Sequence, residues 1–584
     1  MVQRKPGATV VECVTASPPP YWALLERELM RAISRACPEF HRTYFDQRGY
    51  LLCHARWGAL DGPDDALENV GGWAMFHALG GPDEILGLYK HALEGHMRQY
   101  TEAKTVDVPF ARDGMYYKEF PVMFDFVHTG EGFAALFDQG LSDPGDLAFQ
   151  KRMRRFSGFY MNEDPQAQNY DPKLKLIRSL FNGSRGPLLR KATPVDWAGD
   201  RVEIENRFHP LRGERNYEHI LEHFLPHTDI VGDSPCNLPI TVMPLLAYMT
   251  SGEEKYRAWI LEYVDAWVQR CKDNGGLIPS NIGLDGTIGG ECGGKWWGGT
   301  YGWGFTCTVP TLVHRPFFNG RSFHGFGAAL LLTGDRNYID VWRTVLRKVN
   351  ENKKRDGGKD LYPHMYGDNG WYDWTPEPFS PGAMETWFWS MDRAKDLPLV
   401  AGDPWITWLE GKDADYPVRA LTKDLEAVRK RVALMRADTR TPDTRMSEEL
   451  NAINPAVNDA LAQLTLGAIP PRNDGCPLQC AVRYFDPERR RAGLPEDVAA
   501  LVDGMADKTV SLQLVNVSTT AWKTLVVQGG AFAQNRIEKV RQGDVTTEVG
   551  NDHFVVRLAP GAACKLTLEV ARFAQRPNLA FPWV

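Results

Sequence analysis

Two distant stretches of the chain repeat one pattern. An apolar helix stops at a small-residue turn, and a new helix opens with an aromatic pair at helical spacing. They are Leu246-Ala-Tyr-Met-Thr-Ser-Gly252-Glu-Glu-Lys-Tyr256-Arg-Ala-Trp259 and Ala329-Leu-Leu-Leu-Thr333-Gly334-Asp-Arg-Asn-Tyr338-Ile-Asp-Val-Trp342. Weaker copies run from Phe76 through Gly80 and Gly81 to Tyr89, and from Gln139 through Pro144 to Phe149 and Met153. Glycine accepts the left-handed backbone that ends a helix, and a short polar residue caps the next. A hairpin of this kind buries its apolar stripe only against neighbours, so pairs spaced about sixty residues or more apart predict a closed ring. About six pairs fit between residues 20 and 460, with Trp259, Trp267 and Trp342 in the core.

After residue 470 the period changes. Val510–Val517, the stretch from Thr524, Phe554–Leu558 and the stretch from Cys564 alternate apolar and polar residues between turns. This predicts an antiparallel β-sandwich. The expected fold is therefore mainly α with a C-terminal β domain: an (α/α)6-type toroid over 1–465 and the sandwich over 466–584.

Composition narrows the partners. A net charge of -7 over 584 residues offers no basic footprint for nucleic acid. No apolar run approaches the roughly 20 residues that span a bilayer, so no membrane partner is expected. The N-terminus lacks the apolar core of a signal peptide, which reads as cytoplasmic, or as secreted or periplasmic if a leader has been removed. The ten cysteines include one C-x3-C pair and no zinc-finger spacing, which favours reduced, buried thiols. A homo-oligomer is left open.

Long loops lie between the hairpins, at 104–121, 162–187, 274–304 and 361–383, and loops this long inside a compact domain are usually functional. They are rich in glycine and aromatic residues. Of the 18 tryptophans, Trp296, Trp297, Trp303 and Trp371 sit on them, as flat surfaces on which the apolar faces of sugar rings could stack. Three polar constellations accompany them. One runs from Arg112 through Tyr116, Tyr117, Glu119 and Asp125 to His128 and Glu131. A second holds Asn182 and Arg185 in an Asn-Gly-Ser-Arg turn, suited to gripping a carboxylate. The third carries His364, Tyr366, Asp368 and Asn369.

A helical toroid followed by β structure, with these residue types on its loops, resembles the (α/α)-toroid polysaccharide lyases that act on alginate, hyaluronate and heparin. The resemblance implies β-elimination on a uronic-acid-containing oligo- or polysaccharide. Asn182 and Arg185 would neutralise the uronate, and Tyr116, Tyr117, His128, His364 or Tyr366 would act as base and acid. Arg112, Glu131 and the four tryptophans would bind substrate. The physical requirement is clear, because a proton beside a carboxylate is too weakly acidic until that charge is offset.

Alternatives remain. A glycoside hydrolase needs two carboxylates across the scissile bond, and Asp61, Asp64, Asp65, Glu119, Asp125, Glu131 and Glu385 are candidates. A glycan-binding protein without turnover would use the same aromatic residues. A sugar epimerase on the same toroid would need a histidine pair, and no H-x-H or similar pairing supports one. His219, His223 and His227 recur at i, i+4 and i+8, with Glu214 and Asp229 nearby, so a divalent metal, zinc or calcium, is a further expectation, although Pro226 interrupts the helix. No other cofactor is implied.

Overall fold

The computed structural model describes residues 9–53, 63–103, 114, 116–121, 126–183, 186–191, 218, 231–304, 321–470 and 475–583. Its helices fall into two sets, and hydrophobic patterning decides which is which. Helix α1 (Tyr21–Tyr44) is amphipathic and lies outside. After the short α2 (Pro63–Glu68), the fully buried α3 (Trp73–Leu79) pairs with the long α4 (Asp83–Glu102). Next come α5 (Phe126–Ser142) with α6 (Leu147–Tyr160), and α7 (Val242–Ser251) with α8 (Glu254–Asp273).

Helix α9 (Phe323–Thr333) is buried on every side from Phe323 to Leu332. Its partner α10 (Asn337–Asn350) buries one stripe, Ile339, Trp342, Val345, Leu346 and Val349. The inner α11 (Ala383–Ser390) is followed by α12 (Pro404–Leu409) and the outer α13 (Tyr416–Ala437), and α14 (Asp459–Leu466) is again inner. An apolar helix with no polar face must be covered all round, whereas an amphipathic one covers it and faces water.

The repeated motif is the inner-to-outer turn. Gly252 and Gly334 adopt φ of 72° and 71°, and their N–H groups donate to the carbonyls of Tyr248 and Leu330. Trp259, Trp267 and Trp342 are core, as expected.

The ring closes through both ends of the helical region. Helix α1 packs along α13. Asn69 Nδ2 donates to the Ser447 carbonyl at 2.9 Å, Trp73 Nε1 to Asn454 Oδ1 at 2.9 Å, and Asn458 Nδ2 to the Gly72 carbonyl at 2.5 Å. Between α9 and α11 the approach is close enough to require glycine, since a Cβ on Gly327 would stand 2.4 Å from the Trp389 ring.

The C-terminal region is a pair of five-stranded sheets. Among its strands are β4 (Val482–Asp486), β6 (Val498–Ala506), β7 (Thr509–Asn516) and β11 (His553–Leu558). Two features cross the expected boundary at 465. Strand β1 (Val10–Cys13), from the start of the chain, pairs in parallel with β11, so the sandwich is not wholly antiparallel. In addition, a segment preceding the first C-terminal strand turns back into the ring. Ala468 bridges Cys480, Ile469 N donates to the Gln479 carbonyl, and Gly475 lies against the backbone of Gly130 in the first turn of α5. Gln479 accepts from Trp389 Nε1 at 3.0 Å. The bore is thereby filled from the sandwich side.

Cys37, Cys271 and Cys480 are buried thiols, the last two pushed up to about 12 by burial. Among the described residues no helix is long and apolar enough to cross a membrane.

Replacing Gly327 by alanine should cost about 1–3 kcal/mol, because the added methyl meets a packed indole. Gly87, exposed on α4 with nothing within 4 Å of an added Cβ, is the control: Gly87→Ala should be neutral or stabilise by about 0.5–1 kcal/mol. Thermal unfolding of the two variants measures both.

Candidate functional site

The loops on one side of the ring are bonded neighbour to neighbour. Tyr117 Oη donates to Gln166 Oε1. Ser179 bridges Val231, and Gly232 N donates to the Arg178 carbonyl. Asp233 and Ile282 exchange backbone hydrogen bonds, and Ser280 bonds the Trp296 carbonyl.

One buried carboxylate organises this rim. Asp233 accepts from Tyr263 Oη at 3.0 Å, Asn237 Nδ2 at 2.9 Å and the N–H groups of Ser234 and Ile177, and it pairs with Arg270 at 3.3 Å. Burial outweighs the nearby guanidinium and holds its carboxyl above the usual range. Arg270 in turn donates to the carbonyls of Leu174 and Lys175.

The residues expected to act as base, acid and carboxylate clamp are distributed along this rim. Tyr116 is buried, with its hydroxyl 2.5 Å from His96 Nε2. Burial pushes its phenol well above the ordinary value and pulls the His96 imidazole down to about 3, so both are neutral near pH 7. Asn182 is buried and donates to the Phe159 carbonyl at 3.2 Å. His364 is buried, its Nε2 3.1 Å from the Glu377 carbonyl and 3.0 Å from Thr375 Oγ1, which are structural contacts.

Tyr366 lies on the hairpin of β2 (Lys359–Gly367) and β3 (Gly370–Thr375) and packs against Trp296 at 4.8 Å and Trp371 at 4.9 Å between ring centroids. Trp296, Trp297 and Trp371 are half-buried in this cluster. Trp303 is fully buried, with its indole N–H donating to the Ile278 carbonyl, so it is core and not the exposed platform expected from its glycine neighbours. Arg112, Arg185, His219, His223 and His227 lie outside the described residues, as does the side chain of His128, in the first turn of α5. Among the described residues no cluster of three or more metal-ligating side chains forms.

A different set converges in the bore. Glu131 and Asp138, two turns apart on α5, line a cavity of 320 Å³ with Glu68, Asp459, Asn451 and Asn458. Asp138 also faces an adjoining cavity with His324, Glu385 and the Cys476–Gln479 stretch of the inserted segment. Burial raises the Asp138 carboxyl to about 7, while Glu131 is ion-paired with Arg321. Among the described residues, the one cation lining the larger cavity is Arg431, whose Nη1 donates to the Asn454 carbonyl at 2.5 Å.

Of the carboxylates weighed from sequence, Glu131 and Glu385 reach the bore, where Glu68 joins them unforeseen, whereas Glu119 is tied to Arg152 at 3.2 Å, and Asp61 and Asp125 lie outside the described residues. Sequence reasoning missed Asp138, Asp459 and His324. Asp138 did carry a signal, as a lone acid in the apolar run Gly132-Phe-Ala-Ala-Leu-Phe-Asp138.

A family described as "Domain of unknown function (DUF8034)" matches residues 9–365 and 400–462. The chain belongs to this family. The family match therefore covers most of the helical ring and stops before the sandwich. No curated protein matches.

Among solved structures, a D-mannose isomerase is similar over 77% of this chain and 100% of its own, at 11% identity and a TM-score of 0.38. A cellobiose 2-epimerase from Bacillus thermoamylovorans B4167 is similar over 74% of this chain and 98% of its own, at 9% identity and 0.36. An inactive variant of an α-1,6-mannanase of Salegentibacter sp. HEL1_6, solved with α-1,6-mannotriose, is similar over 75% of this chain and 99% of its own, at 12% and 0.32.

Asp233→Ala would leave Arg270 buried without its counter-charge and strand the Tyr263 and Asn237 donors. A loss of about 3–5 kcal/mol is expected, visible as a lower thermal midpoint.

Proposed function

We propose that this protein is a carbohydrate-active enzyme that hydrolyses a neutral glycan in the bore of its helical ring, with Asp138 as general acid. The observation that carries this reading is a carboxyl raised to about 7 on the same cavity as an ion-paired one. A general acid must hold its proton near the working pH, which a carboxyl raised by burial does.

Asp138 donates its proton to the glycosidic oxygen. Glu131, ion-paired with Arg321, draws a proton from the attacking water. Seven residues of helix separate them by about 10 Å along the axis. That backbone spacing leaves room for a water and lies nearer the roughly 6.5–9.5 Å between the carboxyls of inverting enzymes than the about 5 Å of retaining ones. The cavity volume sits at the low end of the about 300–1,000 Å³ usual for small-ligand sites.

Elimination from a uronide is less well supported. Among the described residues the larger cavity presents four acids, Glu68, Glu131, Asp138 and Asp459, against one arginine, so an anionic sugar would be repelled. Tyr116 is buried with a phenol harder to ionise than usual, the reverse of an activated base.

The test is a panel of neutral and uronate-bearing oligosaccharides in 18O-labelled water. Hydrolysis places the label at the new reducing end with inverted configuration by NMR. An unsaturated, ultraviolet-absorbing product from a uronide would overturn the proposal. Asp138→Asn and Glu131→Gln should each lower kcat by roughly 10²–10⁴-fold, and wild-type activity should fall as pH rises through about 7, where Asp138 loses its proton.

The same shift has a stability consequence. The folded-state pKa of Asp138 lies above the unfolded value, so folding binds a proton and stability declines as pH rises from about 4 to about 7. Asp138→Asn should escape that decline and, at pH 8, exceed the wild type by on the order of 1–3 kcal/mol. Unfolding curves at pH 5 and pH 8 measure the difference.

A further inference from the structure

Away from the bore, a cleft of 380 Å³ runs between α1, the turn from α3 to α4, and the edge of the sandwich. Arg27, Arg31 and Arg35 line it from α1 at i, i+4 and i+8, one face of the helix. Arg489 and Arg491 meet them from the sandwich, Arg491 opening the short β5 (Arg491–Ala492). Like charges one turn apart repel and weaken a helix unless something opposes them.

The acids in the cleft answer only some of these arginines. Asp83 pairs with Arg491 at 2.5 Å, and Asp497 lies 3.4 Å from Lys523 and 3.9 Å from Arg31. Asp486 accepts from the backbone N–H groups of Glu488 and Arg489. Glu496 stands exposed at the edge. Among the described residues Arg35 and Arg489 have no ion-pair partner. Arg27 is 7% exposed, donates through Nη1 to the Val498 carbonyl, and keeps a buried Nε with no hydrogen-bond partner among the described residues. A buried guanidinium N–H left unmet is costly, and planar guanidinium groups match the geometry of tetrahedral oxyanions.

We propose that this cleft is a binding site for a phosphate-type oxyanion, carried on a small ligand or free in solution. The anion sits between the α1 arginines and Arg489, relieves their mutual repulsion, and fastens the outer helix of the closing pair to the sandwich. The site is separate from the acidic bore and opposite to it in charge.

Thermal unfolding of the full chain tests the proposal, with inorganic phosphate against chloride at equal ionic strength. A parallel arm uses glucose 6-phosphate against glucose. Binding to the folded state alone raises Tm with concentration, and a rise of roughly 2 °C or more at saturating phosphate is expected. Arg35→Ala combined with Arg489→Ala, both exposed positions, should abolish the rise without changing Tm in chloride, and the corresponding lysine pair should retain part of it. A response to both phosphates supports recognition of the oxyanion itself, and a response to the sugar phosphate alone supports a phosphorylated sugar as ligand. No rise above chloride in either arm, or an undiminished rise in the double alanine variant, overturns the proposal.

Discussion

The structure depends on the need to cover the inner helices. Helix α9 has no polar face, and α7 and α11 have little more, so each must be surrounded by other inner helices and by an amphipathic partner outside. A row of hairpins would leave its end members uncovered, and only a ring avoids that. The chain supplies the closing contacts from its two ends, where Asn454 and Asn458 bond the start of α3 and α1 lies along α13. These amides do what the apolar stripes cannot, since apolar burial favours closure but does not specify where it occurs.

Closure makes a bore, and what fills the bore sets its chemistry. From the sandwich side Ile469, Pro470 and the Cys476–Gln479 stretch stand beside Asp138, His324 and Glu385. Residues just ahead of the sandwich thus form one wall of the adjoining cavity. The low-dielectric surroundings that stabilise the ring also raise the Asp138 carboxyl, so packing and acid strength have one cause.

Much of the architecture was legible because it rests on local rules. The left-handed glycines Gly252 and Gly334, the Tyr–Trp spacing and the change of period after residue 470 are read from neighbours in sequence, and each has a direct structural counterpart. The candidate site was less legible. Glycine-flanked tryptophans suggested exposed surfaces, yet Trp303 is buried because the β2–β3 hairpin folds over it. Asp138 looked like an ordinary helical acid, since nothing local reveals that its face of α5 meets a cavity.

The sequence by itself therefore determined the elements: which helices are apolar all round, which carry a single stripe, where they stop, and that a β region follows. Hydrophobic period and turn stereochemistry act over a few residues, so they are written locally. Only the tertiary structure decided which side chains share a space: the parallel docking of β1 on β11, the bridge from Ala468 to Cys480, and the meeting of Glu131, Asp138 and Asp459. Those outcomes depend on contacts between residues hundreds of positions apart, where burial and charge are fixed by the closed ring and not by any one stretch of chain.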